Sequence, residues 1–145
     1  MGLRDMNKLW RQLGGLTLFT LLLCGCGFDS TSEDQGNQSQ VISDTGVFHL
    51  ELIPKASRNL VGLNRYEIML SDGQGIAVEQ AQLTIVPWMP DHGHGTDREP
   101  SISPMGNGVY EVDDVVYTMP GLWHLNVEIR TALITDNARF QLEVY

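Results

Sequence analysis

Six consecutive residues, Met89-Pro90-Asp91-His92-Gly93-His94, bring together a thioether, a carboxylate and two imidazoles. Pro87 and Pro90 brace this stretch and Gly93 and Gly95 loosen it. Imidazole with thioether is the ligand set that suits copper, since sulfur favours the reduced ion and imidazole tolerates both oxidation states. His92 and His94 flank one glycine, so an extended backbone puts both rings on the same side. Met89 stands in phase with Leu83 and Ile85 just before the loop. A second rigid corner, Met119-Pro120-Gly121, carries another thioether and would have to face the first across one end of the fold.

Each of these residues has a plainer reading. HGHG is also what a tight loop needs, with glycines supplying unusual φ and imidazoles bonding to backbone carbonyls. Met89 and Met119 can equally be core filler. His124 falls out of phase with Trp123, Leu125 and Val127, so it points outward with Asn126 and Glu128. His49 sits at an edge. Met105 is either a lid over the site or an exposed loop residue. Trp88 and Trp123 either shield a metal from water or pack in the core and rim. Asp91, Asp97 and Glu99 would add oxygen ligands, favouring zinc or calcium, or else solvate a loop. Asp113-Asp114 reads as a turn between two strands.

The elements that must hold these residues are strands. Phe48, Leu50 and Leu52 alternate with polar residues, as do Tyr66, Ile68 and Leu70, and then Trp123, Leu125, Val127 and Ile129. This period of two is the signature of half-buried strands. Ser71-Asp72-Gly73-Gln74-Gly75 is a turn in which Asp-Gly supplies positive φ. Ile76 to Val78 and Leu83 to Pro87 lead into the loop, Val109 to Val112 and Val115 to Tyr117 flank Asp113-Asp114, and Phe140, Leu142 and Val144 close the chain. About seven short strands predict an all-β fold, an immunoglobulin-like antiparallel sandwich, with a small barrel as the other arrangement compatible with the pattern.

The first residues are of another kind. Arg4, Lys8 and Arg11 precede the apolar run Leu16 to Leu23, and Cys24-Gly25-Cys26 follows. A membrane span takes about 20 apolar residues, and this run is shorter, so it reads as a secretory signal. Leu23-Cys24-Gly25-Cys26 resembles the lipobox of bacterial lipoproteins. That resemblance implies cleavage after Gly25 and a diacylglycerol on Cys26, giving several acyl chains and stable anchoring in a bilayer. Gly27 after the lipidated position resembles the pattern sent to the outer membrane of Gram-negative cells. Residues 1–25 would then be the signal, 26–46 a lipidated polar tether, and 47–145 the folded domain. Gly27 to Gly46 is too polar to offset its ordering entropy, which predicts a flexible segment.

With Cys24 removed and Cys26 acylated, the mature chain would have no thiol, hence no disulfide and no thiolate-bound metal. Blue-copper and cysteine-based zinc sites are thereby excluded. The formal charge of the whole chain is −9, and residues 26–145 hold six basic and seventeen acidic residues, a balance of −11. Such a surface disfavours nucleic acid and anionic lipid and is compatible with cations. No catalytic constellation emerges: there is no Cys nucleophile, no Ser in a nucleophile elbow, no phosphate-cradling glycine loop and no carboxylate pair in a clear cleft.

MPDHGHG, followed by a glycine-rich turn and then GVYEVDDVVYTMPGLWHLNVEI, resembles the YtkA-like domain, itself related to FixH-like periplasmic domains. The resemblance covers residues 47–145 and rests on the paired MPxHGHG and MPGxW motifs. It implies a small extracytoplasmic β-sandwich, often lipid-anchored, with a copper-related role. On the matching positions it points to Met89, His92, His94 and Met119. The expectation is a non-catalytic, membrane-anchored periplasmic lipoprotein that binds copper as carrier, buffer or assembly helper. It would work with a copper-handling or other envelope protein. The alternative is an envelope protein-interaction module without metal, in which HGHG is a structural loop.

Overall fold

The alternating segments become sheets because each strand must bury its apolar row against another. A computed structural model describes residues 39–145. The expected signal, the lipidation position Cys26 and most of the tether lie outside the described residues. Nine strands follow in order, with no helix among the described residues: β1 (Gln40–Ile42), β2 (Phe48–Pro54), β3 (Gly62–Asp72), β4 (Gln82–Met89), β5 (His94–Gly95), β6 (Ser101–Gly106), β7 (Val109–Tyr117), β8 (Gly121–Arg130) and β9 (Thr135–Val144).

They form two antiparallel sheets, ordered β1-β2-β3-β7-β6 and β5-β4-β8-β9. The sheets are separate, which decides for the sandwich and against the barrel. Strands β2, β3, β7 and β6 stand in the places of immunoglobulin strands A, B, E and D, and β4, β8 and β9 in those of C, F and G. The two faces that meet carry Leu50, Leu52, Ile68, Leu70, Ile85, Val112, Val115, Trp123, Leu125, Val127, Ile129 and Phe140, all buried.

Three of the nine strands, β1, β5 and β6, have no counterpart in the expected pattern, and all three lie at a sheet edge. β1 falls inside the stretch expected to be tether: Gln40 to Ile42 pair with Glu51 to His49, and Ser43 is buried. The polar segment therefore gives way to structure at its end, because backbone pairing and one buried hydroxyl replace the missing apolar contacts. Asp113-Asp114 is likewise no turn. β7 runs straight through it, and the register slips between Asn64 and Tyr66, so that Arg65 faces both aspartates. This is a β-bulge, with Asp114 at φ +62° and Arg65 paired to Asp113 at 2.8 Å.

Register fixes which loops share a pole. β4 ends, β8 begins, β3 begins and β7 ends at the same end, since Trp88 faces His124 and Gly62 faces Tyr117. The other pole holds the β1–β2, β6–β7 and β8–β9 turns. The β6–β7 turn is Asn107-Gly108, with φ +53° and +73°, the two positive values that a two-residue type I′ hairpin requires.

At that far pole Asp136, 2 % exposed, holds the β1–β2 turn against β9. It accepts from the Thr45 hydroxyl and backbone N–H, and from the Asn137 N–H at 2.9 Å. Burial pushes its carboxyl up. Hydrogen bonds from Ser43, Thr45 and Asn137 outweigh that and hold it below the usual carboxylate value. A depressed folded value means that the contribution is present above the unfolded value and lost as pH falls through the folded one. Urea midpoints should therefore drop on acidification below about pH 4, and Asp136→Asn should flatten that part of the profile. Equal acid slopes for the two proteins would refute the assignment.

Candidate metal site

The first corner is built by β4. Its alternation turns Met89 inward, and Met89 is 3 % exposed in the core. The chain then reverses over Pro90 to Gly93: the Gly93 N–H donates to the Met89 carbonyl at 2.9 Å, and Gly93 takes φ +66°. β5 returns with His94 directly opposite Met89. Residues opposite one another project from the same face, so His94 stands on the inner face, at the rim above Met89. Gly95 permits the return, because a Cβ there would lie 2.6 Å from the Pro87 carbonyl oxygen.

His92 lies in the turn and is exposed. Its ring centre is 5.9 Å from that of His94, the planes tilted by 55°. The extended backbone expected for His92-Gly93-His94 is replaced by a left-handed glycine. The rings come together through a turn instead of along a strand.

The second corner reaches the same place. Trp123, on β8 and 0 % exposed, stands edge-to-face with His94 at 6.1 Å and donates its indole N–H to the Met119 carbonyl at 3.0 Å. Gly121 lies close against the first corner, with φ +126°, and a Cβ built on it would lie 2.9 Å from the Met89 methyl. Met119 itself is half-buried and packs on the core. The loop that leaves β5 is tied down by Arg98, which pairs with Asp114 of the bulge at 2.9 Å.

Beneath the indole lies Tyr117, its ring centre 5.2 Å away. The Tyr117 and Tyr66 hydroxyls meet at 3.1 Å, and Tyr66 donates to Asn59 at 2.7 Å. Burial pushes the Tyr66 phenol up to about 12, only partly offset by the Tyr117 hydrogen bond, and burial raises Tyr117 as well. Both hydroxyls stay neutral and serve as struts.

The other candidates fall elsewhere. Trp88 and His124 face each other on the outer side of the sheet, away from Met89 and His94. Burial lowers the His124 pKa, as does the charge of Arg139, while Asp91 acts against them. Met105, 61 % exposed, is on β6 near the opposite pole, so it cannot be a lid for this site. His49, Asp91, Asp97 and Glu99 are exposed. Among the described residues no three His, Cys, Asp or Glu side chains converge as a metal group. Trp123 is the residue whose part at the site the sequence left undecided; its only signal was its place in the second motif.

The two imidazoles nevertheless stand at a spacing that suits one shared ion. His94 Nδ1 lies 3.1 Å from the Gly95 carbonyl oxygen. A carbonyl can only accept, so this contact selects the Nδ1–H tautomer and leaves the Nε2 lone pair free, the arrangement usual in metal-bound histidine. Imidazole nitrogen binds such metals at about 2.0–2.1 Å, which puts each ring centre roughly 3 Å from the ion. Two rings with centres 5.9 Å apart can flank one ion.

A family model described as YtkA-like matches residues 47–128. This chain belongs to the YtkA-like family. The matched YtkA-like region contains both corners and ends within β8. No curated protein and no solved structure matches the chain.

Proposed function

We propose that this YtkA-like protein binds copper through His92 and His94, with Met119 as a half-buried thioether and Met89 as a sulfur beneath them. It would be a non-catalytic carrier, buffer or assembly helper, held at the cell envelope by acylated Cys26 and facing the periplasm. The observation that carries this reading is the pair of imidazoles 5.9 Å apart, with one Nε2 left free, where two distant corners of the chain touch. Bound copper would supply ligand exchange with a partner. The chain's own part is to orient two nitrogens and hold sulfur near them, at a rim where His92 is open to solvent.

The full chain carrying Cys24→Ser and Cys26→Ser, in detergent, should take up one equivalent of Cu(I) or Cu(II). His92→Ala/His94→Ala should weaken binding by more than about 100-fold, because removing ligands exceeds the 10–100-fold typical of their outer-shell partners. Equal uptake by both proteins would overturn the proposal. The second reading, an interaction module with HGHG as a structural loop, draws support from Met89, whose burial is that of core filler. Absence of uptake together with an unchanged fold would favour it.

A further inference from the structure

Resting on the copper reading, we infer that Trp123 is a positioning residue: one buried indole sets the His94 nitrogen and the Met119 sulfur together. Its only polar atom is Nε1, and in a wholly buried ring that N–H must find an acceptor. The acceptor is the Met119 carbonyl at 3.0 Å, four residues back across the β7–β8 corner. The bond fixes the peptide from which the Met119 side chain emerges, and Pro120 restricts the next φ.

The same ring is what limits His94. β5 has only two residues, so its pairing with β4 restrains the imidazole weakly. The indole stands across it at 77°. Nor can the indole itself tilt, because Tyr117 packs against it and is held in turn by Tyr66 and Asn59. The nitrogen donor and the sulfur donor thus share a single rigid reference, although they come from parts of the chain about 25 residues apart.

The test replaces the Trp123 indole N–H by sulfur, using benzothienylalanine, in the full Cys24→Ser/Cys26→Ser chain. This isostere keeps the ring against His94 and removes only the donor. Far-ultraviolet circular dichroism should be unchanged. Cu(I) affinity should fall about 10–100-fold, and X-ray absorption should lose the Met119 share of the copper–sulfur scattering while keeping the imidazole shells. Trp123→Phe should behave alike, and Met119→Leu should lose the same scattering with the corner intact. Unchanged affinity and unchanged sulfur scattering in the isostere would overturn the inference. If the parent chain takes up no copper, the copper reading fails separately. Positioning is then read from the metal-free protein, whose Met119 methyl signal should shift and broaden in the isostere. A sharp, unmoved signal would overturn it.

Discussion

Trp123→Ala should remove about 3–5 kcal/mol of stability, the range for truncating a large buried aromatic. A domain of this size has about 5–15 kcal/mol in all, so the variant should stand near its unfolding midpoint in mild urea. The cost is large because the ring has no exposed face and its neighbours cannot collapse into the space. Tyr117, which packs against the ring, is tied to Tyr66. Equilibrium urea unfolding followed by circular dichroism measures it. A loss below about 1.5 kcal/mol, the level of a tolerated volume-conserving core swap, would mean that the pole repacks freely.

Gly108→Ala should be nearly as severe, at about 3 kcal/mol, for two reasons that add. Its φ of +73° costs an L-residue about 1–2 kcal/mol. A Cβ would also stand 2.5 Å from the Leu70 carbonyl oxygen, which is backbone and cannot step aside. The hairpin would have to shift and break the bond from the Leu70 N–H to the Gly108 carbonyl, adding about 1–3 kcal/mol. Gly75→Ala is the control: φ is +80° with nothing within 4 Å of the new Cβ, so only the dihedral cost remains. Equal losses in the two variants would show that the contact with Leu70 is unimportant.

The long strands were legible because burial on one face imposes alternation, and β2, β3, β4, β8 and β9 obey it. The outward position of His124 was legible for the same reason. β1, β5 and β6 were not, because edge strands are held by backbone pairing and need no apolar row. Asp113-Asp114 misled for a related reason. Two adjacent acids look like a turn, whereas the bulge turns them outward to meet Arg65 and Arg98. At the site, the two corners were legible as motifs, and their meeting at one pole agrees with the register. The turn geometry of His92 was hidden in the freedom of Gly93. The part played by Trp123 was hidden because alternation marks a residue as buried without saying what it touches.

Only two residue pairs attach β5 to its neighbour, whereas β8 pairs with β9 along its whole length and with β4 from His124 to Arg130. The hairpin tip can therefore breathe while the sandwich stays shut, since local opening needs far less free energy than global unfolding. Under the proposed copper role, an ion held there would be surrendered on the timescale of a fraying edge, so that durability and release would be set by different parts of the same sheet.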